Sequence, residues 1–307
     1  MVNVPKRSVV KEPVLDDSGR IKGTTIRLED SLIIKEPFYI PFGTEREMFT
    51  AAFHEKMPLA CTGPTGVGKT RFIEHMTWRM SQELGFALPL FTAVCHEDLT
   101  ASDLLGNYRQ GESGEEWYKG IAMLAAQEGG ILYLDEINKG REDIYSVIFP
   151  LSDYRRSLTI PKLGVEITAS SHFMLVVAYN PGYATAMNKL KPNVRQRFPP
   201  VEFDFPSEDL EKRIITGETG LDDEKELKYM VQFAQETRNL RKQGRLNEAA
   251  STRLLVNAAK FLKQGISRFD AYCTIINSIK ETPQDYKDLE AQLKTIIPQS
   301  ELYSRVK

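Results

Sequence analysis

Only three cysteines stand in the 307 residues, Cys61, Cys95 and Cys273. Their odd number and wide spacing supply neither a disulfide framework nor a metal cluster. Cys61 and Cys95 lie inside apolar runs, so all three read as reduced core residues. An excess of one charge is lacking too, with 40 Lys and Arg against 42 Asp and Glu and a formal net charge of −2. Broad binding to nucleic acid rests on surplus basic side chains, so this balance argues against a surface built for phosphate backbones, while leaving room for a local basic patch. No apolar run approaches the roughly 18–20 residues of a membrane span, and Met1–Val14 has Lys and Pro but no continuous apolar segment. These absences predict a cytoplasmic chain with no membrane insertion and no nucleic-acid partner.

What is present is a globular composition, 41% hydrophobic and 27% charged, at a length that suits one sizeable core and a smaller second domain. Residues 1–37 mix charge, Gly and Pro around two short alternating runs, Thr24–Leu28 and Ser31–Lys35, and read as an N-terminal arm or extension. Residues 38–206 alternate apolar strands with helical segments, the pattern of a parallel sheet with crossover helices. Strands are predicted at Pro58–Thr62, Leu88–Cys95, Gly130–Asp135 and Phe173–Asn180. Continuous apolarity marks them as buried on both faces. Helices are predicted at Glu45–Phe53, Lys69–Leu84, Ile121–Gln127 and Glu142–Leu151. Residues 207–307 carry helical spacing only, at Glu208–Thr216, Leu227–Asn239, Ser251–Gln264, Arg268–Ile279 and Asp285–Ile297. The fold class is therefore α/β with a C-terminal all-helical domain.

The sharpest motif is Gly63-Pro64-Thr65-Gly66-Val67-Gly68-Lys69-Thr70, which fits G-x-x-x-x-G-K-[ST] between a predicted strand and a predicted helix. Glycines let the backbone N–H groups curl around phosphate oxygens, and the positive end of the next helix adds to the attraction. Lys69 would reach the β- and γ-phosphates and the Thr70 hydroxyl would bind Mg²⁺. About 65 residues on, by the same numbering, an apolar strand ends in Asp135 and Glu136. One carboxylate can hold Mg²⁺ through its water shell while its neighbour orients the attacking water. A third strand, Leu175–Asn180, delivers Asn180 at its exit. The amide can hydrogen-bond a γ-phosphate or the water, and Asn-Pro-Gly is equally ordinary turn chemistry. Arg195, Arg197 and Arg253 are candidates for guanidinium donors to a transferring phosphoryl group, in cis or from a neighbouring subunit. For each of the three a surface salt bridge is the plain alternative.

Taken in order, these motifs resemble an AAA+ ATPase of the MoxR group, and within it the CbbQ/NorQ (CbbQ/NirQ/NorQ/GvpN) branch. The resemblance runs from about residue 38 to residue 266. Besides the phosphate loop and its continuation Arg71-Phe72, it includes Cys95-His96-Glu97-Asp98-Leu99-Thr100-Ala101-Ser102-Asp103-Leu104, Tyr133-Leu134-Asp135-Glu136, Tyr179-Asn180-Pro181-Gly182-Tyr183, Arg195-Gln196-Arg197-Phe198 and Ala250-Ser251-Thr252-Arg253.

The resemblance implies a P-loop AAA+ core followed by a helical lid. It makes Gly63, Pro64, Thr65, Gly66, Val67, Gly68, Lys69, Thr70 and Arg71 the Walker A segment and Asp135 and Glu136 the Walker B pair. Asn180 becomes sensor 1, Arg197 the arginine finger with Arg195 its companion, and Arg253 sensor 2. It further implies hexameric rings, ATP and Mg as cofactors, a von Willebrand factor A domain partner and a client enzyme, rubisco or nitric oxide reductase. Asn107–Ile121 matches an insertion facing the ring pore, and Arg155–Phe173 a hairpin placed before sensor 1. His96 stands where the family often carries a residue linking ligand state to the Walker B glutamate, and is equally a satisfied strand-end histidine. Residues 1–37 lie outside the resemblance, and Asn138-Lys139-Gly140-Arg141 fits the wider MoxR group better than the branch. The expected function is a ring ATPase that remodels a client enzyme. A nucleic-acid-directed AAA+ motor and a small-molecule kinase are the alternatives.

Overall fold

The computed structural model describes residues 31–111, 114–181 and 192–306. The run Thr24–Leu28 with the rest of residues 1–30, the tip of the 107–121 hairpin at 112–113, and Gly182 and Tyr183 lie outside the described residues. Among the described residues the chain forms two compact units, and no helix is long and apolar enough to cross a membrane.

The first unit holds residues 31–37, Gly43–Thr62 and Lys69–Glu202. Its centre is an all-parallel sheet of β1 (Leu59–Thr62), β2 (Leu90–Val94), β5 (Gly130–Asp135), β8 (Phe173–Tyr179) and β9 (Pro200–Glu202), in the order β2-β5-β8-β1-β9. The four predicted strands are present within two residues at each end. The fifth, β9, has no apolar run to announce it; it begins on a proline, which an edge position tolerates because one face of its backbone needs no ladder donor.

Buried residues alternate between the two faces of the sheet. Leu132, Leu134, Phe173, Leu175 and Val177 pack with Ala122, Ala125 and Ala126 of α4 (Ile121–Glu128) and Ile144 and Ile148 of α5 (Glu142–Ser152). The residues between them, Ile131, Tyr133 and Val176, are equally buried. Helix α1 (Glu45–His54) and α2 (Lys69–Leu84) fall where helical spacing predicts them. Helix α3 (Ala101–Leu105) was not predicted; a capping box between Thr100 and Asp103 starts it.

Two antiparallel hairpins are appended to the sheet. Strands β3 (Gly106–Gly111) and β4 (Gly114–Lys119) form one, with Tyr108 edge-on to Trp117 at 5.0 Å. Strands β6 (Ser157–Ile160) and β7 (Val165–Thr168) form the other, and Lys162 Nζ donates to Asn107 Oδ1 at 2.7 Å to link the two. The short helix α6 (Pro192–Arg195) precedes β9.

The second unit holds Phe38–Phe42, the loop Gly63–Gly68 and the chain from Phe203 onward. It comprises α7 (Glu208–Thr219), α8 (Glu224–Lys242), α9 (Thr252–Lys263), α10 (Arg268–Ile279), α11 (Pro283–Ile296) and the short α12 (Gln299–Leu302). Its core joins Ile215, Met230, Phe233, Ala234, Leu255, Tyr272, Ile276 and Leu293. Two ion pairs are buried in it. Arg238 grips Glu211 with two N–H groups at 2.6 and 2.8 Å, and Arg268 Nε donates to Glu226 at 2.6 Å.

Candidate functional site

Parallel pairing brings the exits of the central strands to one edge of the sheet. Thr62 pairs with Tyr179, Leu134 with Val177, and Val94 with Asp135. The carboxyl ends of β1, β5 and β8 thus lie side by side, the place where open α/β sheets bind ligands. Asp135, Glu136 and Asn180 lie there, as does Thr62 immediately before the glycine-rich loop.

Thr70 lies in the first turn of α2, and its Oγ1 is 3.3 Å from the Tyr133 hydroxyl. Tyr133 shares a strand face with Asp135 because the two are two residues apart, which brings its hydroxyl under the influence of the carboxylate charge. Burial first, then the Asp135 charge, keeps this phenol protonated far above the ordinary tyrosine range. Beneath the same edge Cys61 is fully buried. Burial pushes its thiol well up, opposed by the Lys69 ammonium and assisted by Asp135. Cys95, whose N–H donates to the Asp135 carbonyl at 2.8 Å, is pushed up to about 12 by burial and then by the charges of Asp135 and Glu136.

Asp135 Oδ1 accepts the N–H of Glu136 at 2.9 Å. Glu136 itself is left-handed, φ 53° and ψ 39°, and opens the 3-10 turn Ile137–Lys139. A non-glycine residue held there is strained, and such residues concentrate at functional sites. Lys139 Nζ closes the turn at 2.6 Å from Glu136 Oε2, and the Tyr145 hydroxyl donates to the Ile137 carbonyl. His96 accepts the Asp98 N–H at 3.2 Å within its own turn.

Arg195 ends α6, so the two arginines of the Arg195-Gln196-Arg197 segment do not compete for one helix face. Arg195 is exposed and near enough to Tyr179 to act on it electrostatically. Arg197 Nη1 donates to Asp153 Oδ2 at 3.3 Å, and its guanidinium lies over the Phe149 ring at 4.8 Å. Asp153 is also gripped by Arg155 through Nε at 3.0 Å and Nη2 at 2.7 Å. The Arg155 hydrogen bond, with a smaller share from Arg197, holds the Asp153 carboxyl down to about 2. Arg71 bonds Glu74 one turn along its own helix.

The second unit contains the glycine-rich loop and Arg253. Gly63 has φ 142°, and a Cβ there would fall 2.0 Å from the Phe203 carbonyl oxygen; at Gly66, φ 78°, it would fall 2.5 Å from Ser251 Oγ. Both positions exclude a side chain twice over, by dihedral and by space. Pro64, Thr65 and Val67 fill the loop between the glycines. The Arg253 N–H donates to the Gly66 carbonyl at 3.3 Å while the Arg253 side chain is exposed. The start of α9 is anchored from below. Glu211 accepts the Thr252 hydroxyl at 2.6 Å as well as Arg238, Arg238 Nε donates to the Ala250 carbonyl, and the Ala250 N–H donates to Thr237.

A nucleoside triphosphate with a divalent cation asks for backbone donors, a cationic side chain and hard oxygen ligands. The donor types fit: the first unit carries Lys69 at the start of α2 and the oxygens of Thr70 and Asp135, and the second, taken by itself, carries Gly63 and Gly66 at positive φ with no room for Cβ. The motifs assign no role to Tyr133, Lys139 or Asp153. The period-2 spacing of Tyr133 from Asp135 was a usable signal, whereas nothing in the sequence ties Asp153 to Arg197 across 44 residues.

Residues 58–198 match the AAA domain (dynein-related subfamily), and residues 211–299 match the CbbQ/NirQ/NorQ C-terminal region. Protein CbbQ of Hydrogenophilus thermoluteolus is 39% identical over 86% of this chain and 97% of its own length. The denitrification regulatory protein NirQ of Stutzerimonas stutzeri is 41% identical over 81% of this chain and 88% of its own. Protein NorQ of Paracoccus denitrificans (strain Pd 1222) is 42% identical over 79% and 87%.

Proposed function

Since the chain belongs to the CbbQ/NirQ/NorQ family and is an AAA+ ATPase, we propose that it works in the cytoplasm as a hexameric ring that turns ATP hydrolysis into remodelling of a client enzyme. Gly63–Thr70 cradles the phosphates, with Lys69 on the β- and γ-phosphates. Thr70 and Asp135 hold Mg²⁺, which supplies charge neutralisation at the transferring phosphoryl group. Glu136 orients the attacking water and Asn180 bonds the water or the γ-phosphate. Arg197, with Arg195 beside it, acts on the nucleotide of the neighbouring subunit, and Arg253 acts from the lid, residues 207–307. The observation that carries this reading is the contact of Thr70 Oγ1 with the Tyr133 hydroxyl at 3.3 Å, because Tyr133 and Asp135 share one face of β5 and the contact sets the Thr70 oxygen beside the exit of that strand.

The client is a rubisco-type enzyme, engaged together with a von Willebrand factor A domain partner. A second reading, activation of a nitric oxide reductase, is favoured by the 41% and 42% identities to NirQ and NorQ. Inhibited rubisco and immature nitric oxide reductase, each incubated with the ring, the partner and ATP, separate the two: the true client recovers activity only with all three. Recovery of neither enzyme would contradict both readings.

A further inference from the structure

Tyr145 and Phe149 lie one above the other on α5 because they are four residues apart, and Asp153 caps the same helix at its C-terminal end. The Tyr145 hydroxyl donates to the Ile137 carbonyl at 3.1 Å, in the turn that Glu136 opens, and its ring stacks on Phe149 at 5.8 Å. Phe149 in turn carries the Arg197 guanidinium at 4.8 Å, while Asp153 Oδ2 accepts from Arg197 Nη1 at 3.3 Å. A ring face and a carboxylate constrain different things. Stacking sets the plane of a guanidinium, and the charged hydrogen bond sets its place within that plane. The carboxylate is itself fixed: the Arg155 amide and Nε hold Oδ1 at 3.1 and 3.0 Å, and Arg155 Nη2 holds Oδ2 at 2.7 Å. The Asp153 bond uses one N–H of a guanidinium that has several, and 37% of the Arg197 side chain stays exposed. Arg197 is thus anchored and still able to serve an anion from outside its own chain.

We infer that Asp153 is a positioning residue for Arg197, fixing where the guanidinium stands on Phe149. The inference rests on the reading above, in which Arg197 acts on the nucleotide of the neighbouring subunit. A guanidinium held by a fixed carboxylate enters the reaction already placed, and misplacing such a group by about 1 Å costs up to about 10²-fold in rate. Asparagine at this position keeps the size and can still accept the Arg155 amide within the turn. It loses the charge that draws a guanidinium.

The test is ATP turnover by rings mixed from Arg197→Ala chains and Lys69→Ala chains. Under the reading above the first chain supplies the nucleotide site and the second the arginine, so part of the activity returns. Asp153→Asn added to the Lys69→Ala chain is expected to lower the recovered turnover about tenfold, because the Arg197 of that chain does the work. Added instead to the Arg197→Ala chain, where no guanidinium is left to place, it is expected to change the recovery by less than about twofold. If the mixture without Asp153→Asn recovers nothing in proven mixed rings, the reading of Arg197 itself fails. If recovery appears and Asp153→Asn leaves it unchanged on the Lys69→Ala chain, or lowers it equally on either chain as a loss of folding would, the role of Asp153 alone is overturned.

Discussion

Lys139 Nζ lies 2.6 Å from Glu136 Oε2 across a single 3-10 turn whose first residue, Glu136, is held in the left-handed region. Both side chains are about half exposed, so the pair contributes at most about 1 kcal/mol to stability. Its effect is on position: with Oε2 held by the ammonium, the carboxylate is drawn toward Lys139 and away from the orientations in which both oxygens can direct a water molecule.

Lys139→Ala is therefore expected to raise basal ATP turnover by up to about fivefold, the kinetic equivalent of releasing a surface pair of that size. Unfolding by urea should barely change. A large fall in turnover would show that Lys139 assists the reaction instead of restraining Glu136.

Arg197 is stacked on Phe149 and tied to Asp153 within its own chain. Arg197→Ala is expected to reduce turnover on the order of 10³-fold, the scale of a lost arginine finger. Mixing Arg197→Ala subunits with Lys69→Ala subunits should restore part of the activity, at interfaces joining an intact Lys69 to an intact Arg197. Mixed rings without any recovery would place Arg197 outside the neighbour's reaction.

Arg238 and Glu211 form an ion pair with almost no exposure. Removing one partner strands the other charge, so Arg238→Met is expected to destabilise the helical unit by about 3–5 kcal/mol in urea unfolding. The same change frees the start of α9, where Thr252 bonds Glu211. A loss under 1 kcal/mol, measured with that unit's own transition, would show that water reaches Glu211.

Cys61 and Cys95 have thiols raised by burial, Cys95 to about 12. The unfolded chain loses these protons near 9.0 and the folded chain later. Stability is thus fully present below about pH 9 and declines as pH rises toward 12. At pH 8 iodoacetamide should leave both thiols unmodified in the folded protein and label them after unfolding, read by mass. Fast labelling of the native chain would contradict the burial.

Much of this architecture was legible in the residues. Gly130–Asp135 reads as a buried strand because it is continuously apolar up to its acidic exit, and Lys69–Leu84 reads as a helix because its apolar positions recur at helical spacing. What could not be read lies in long-range geometry. Pro200–Glu202 pairs with β1 only because the chain returns there, and a three-residue strand carries no period. Asp153 meets Arg197 through the placement of α5 and the β6–β7 hairpin, which no local pattern encodes. The sequence marks Glu136 by its carboxylate, whereas its left-handed backbone belongs to the 3-10 turn that follows it. Tyr133, two residues before Asp135, reads in the sequence as one more apolar strand residue, and its contact with Thr70 follows only from the packing of α2 on β5.

The most direct measurement is ATP binding and hydrolysis by Glu136→Gln, in the same ring and with Mg²⁺ present. Glutamine keeps the size and the turn but cannot orient and polarise water as a carboxylate does, so turnover is expected to fall by at least about 100-fold. ATP binding and ring assembly are expected to be retained. Hydrolysis near the parent rate in this variant would contradict the assignment of Glu136 and, with it, the proposed site.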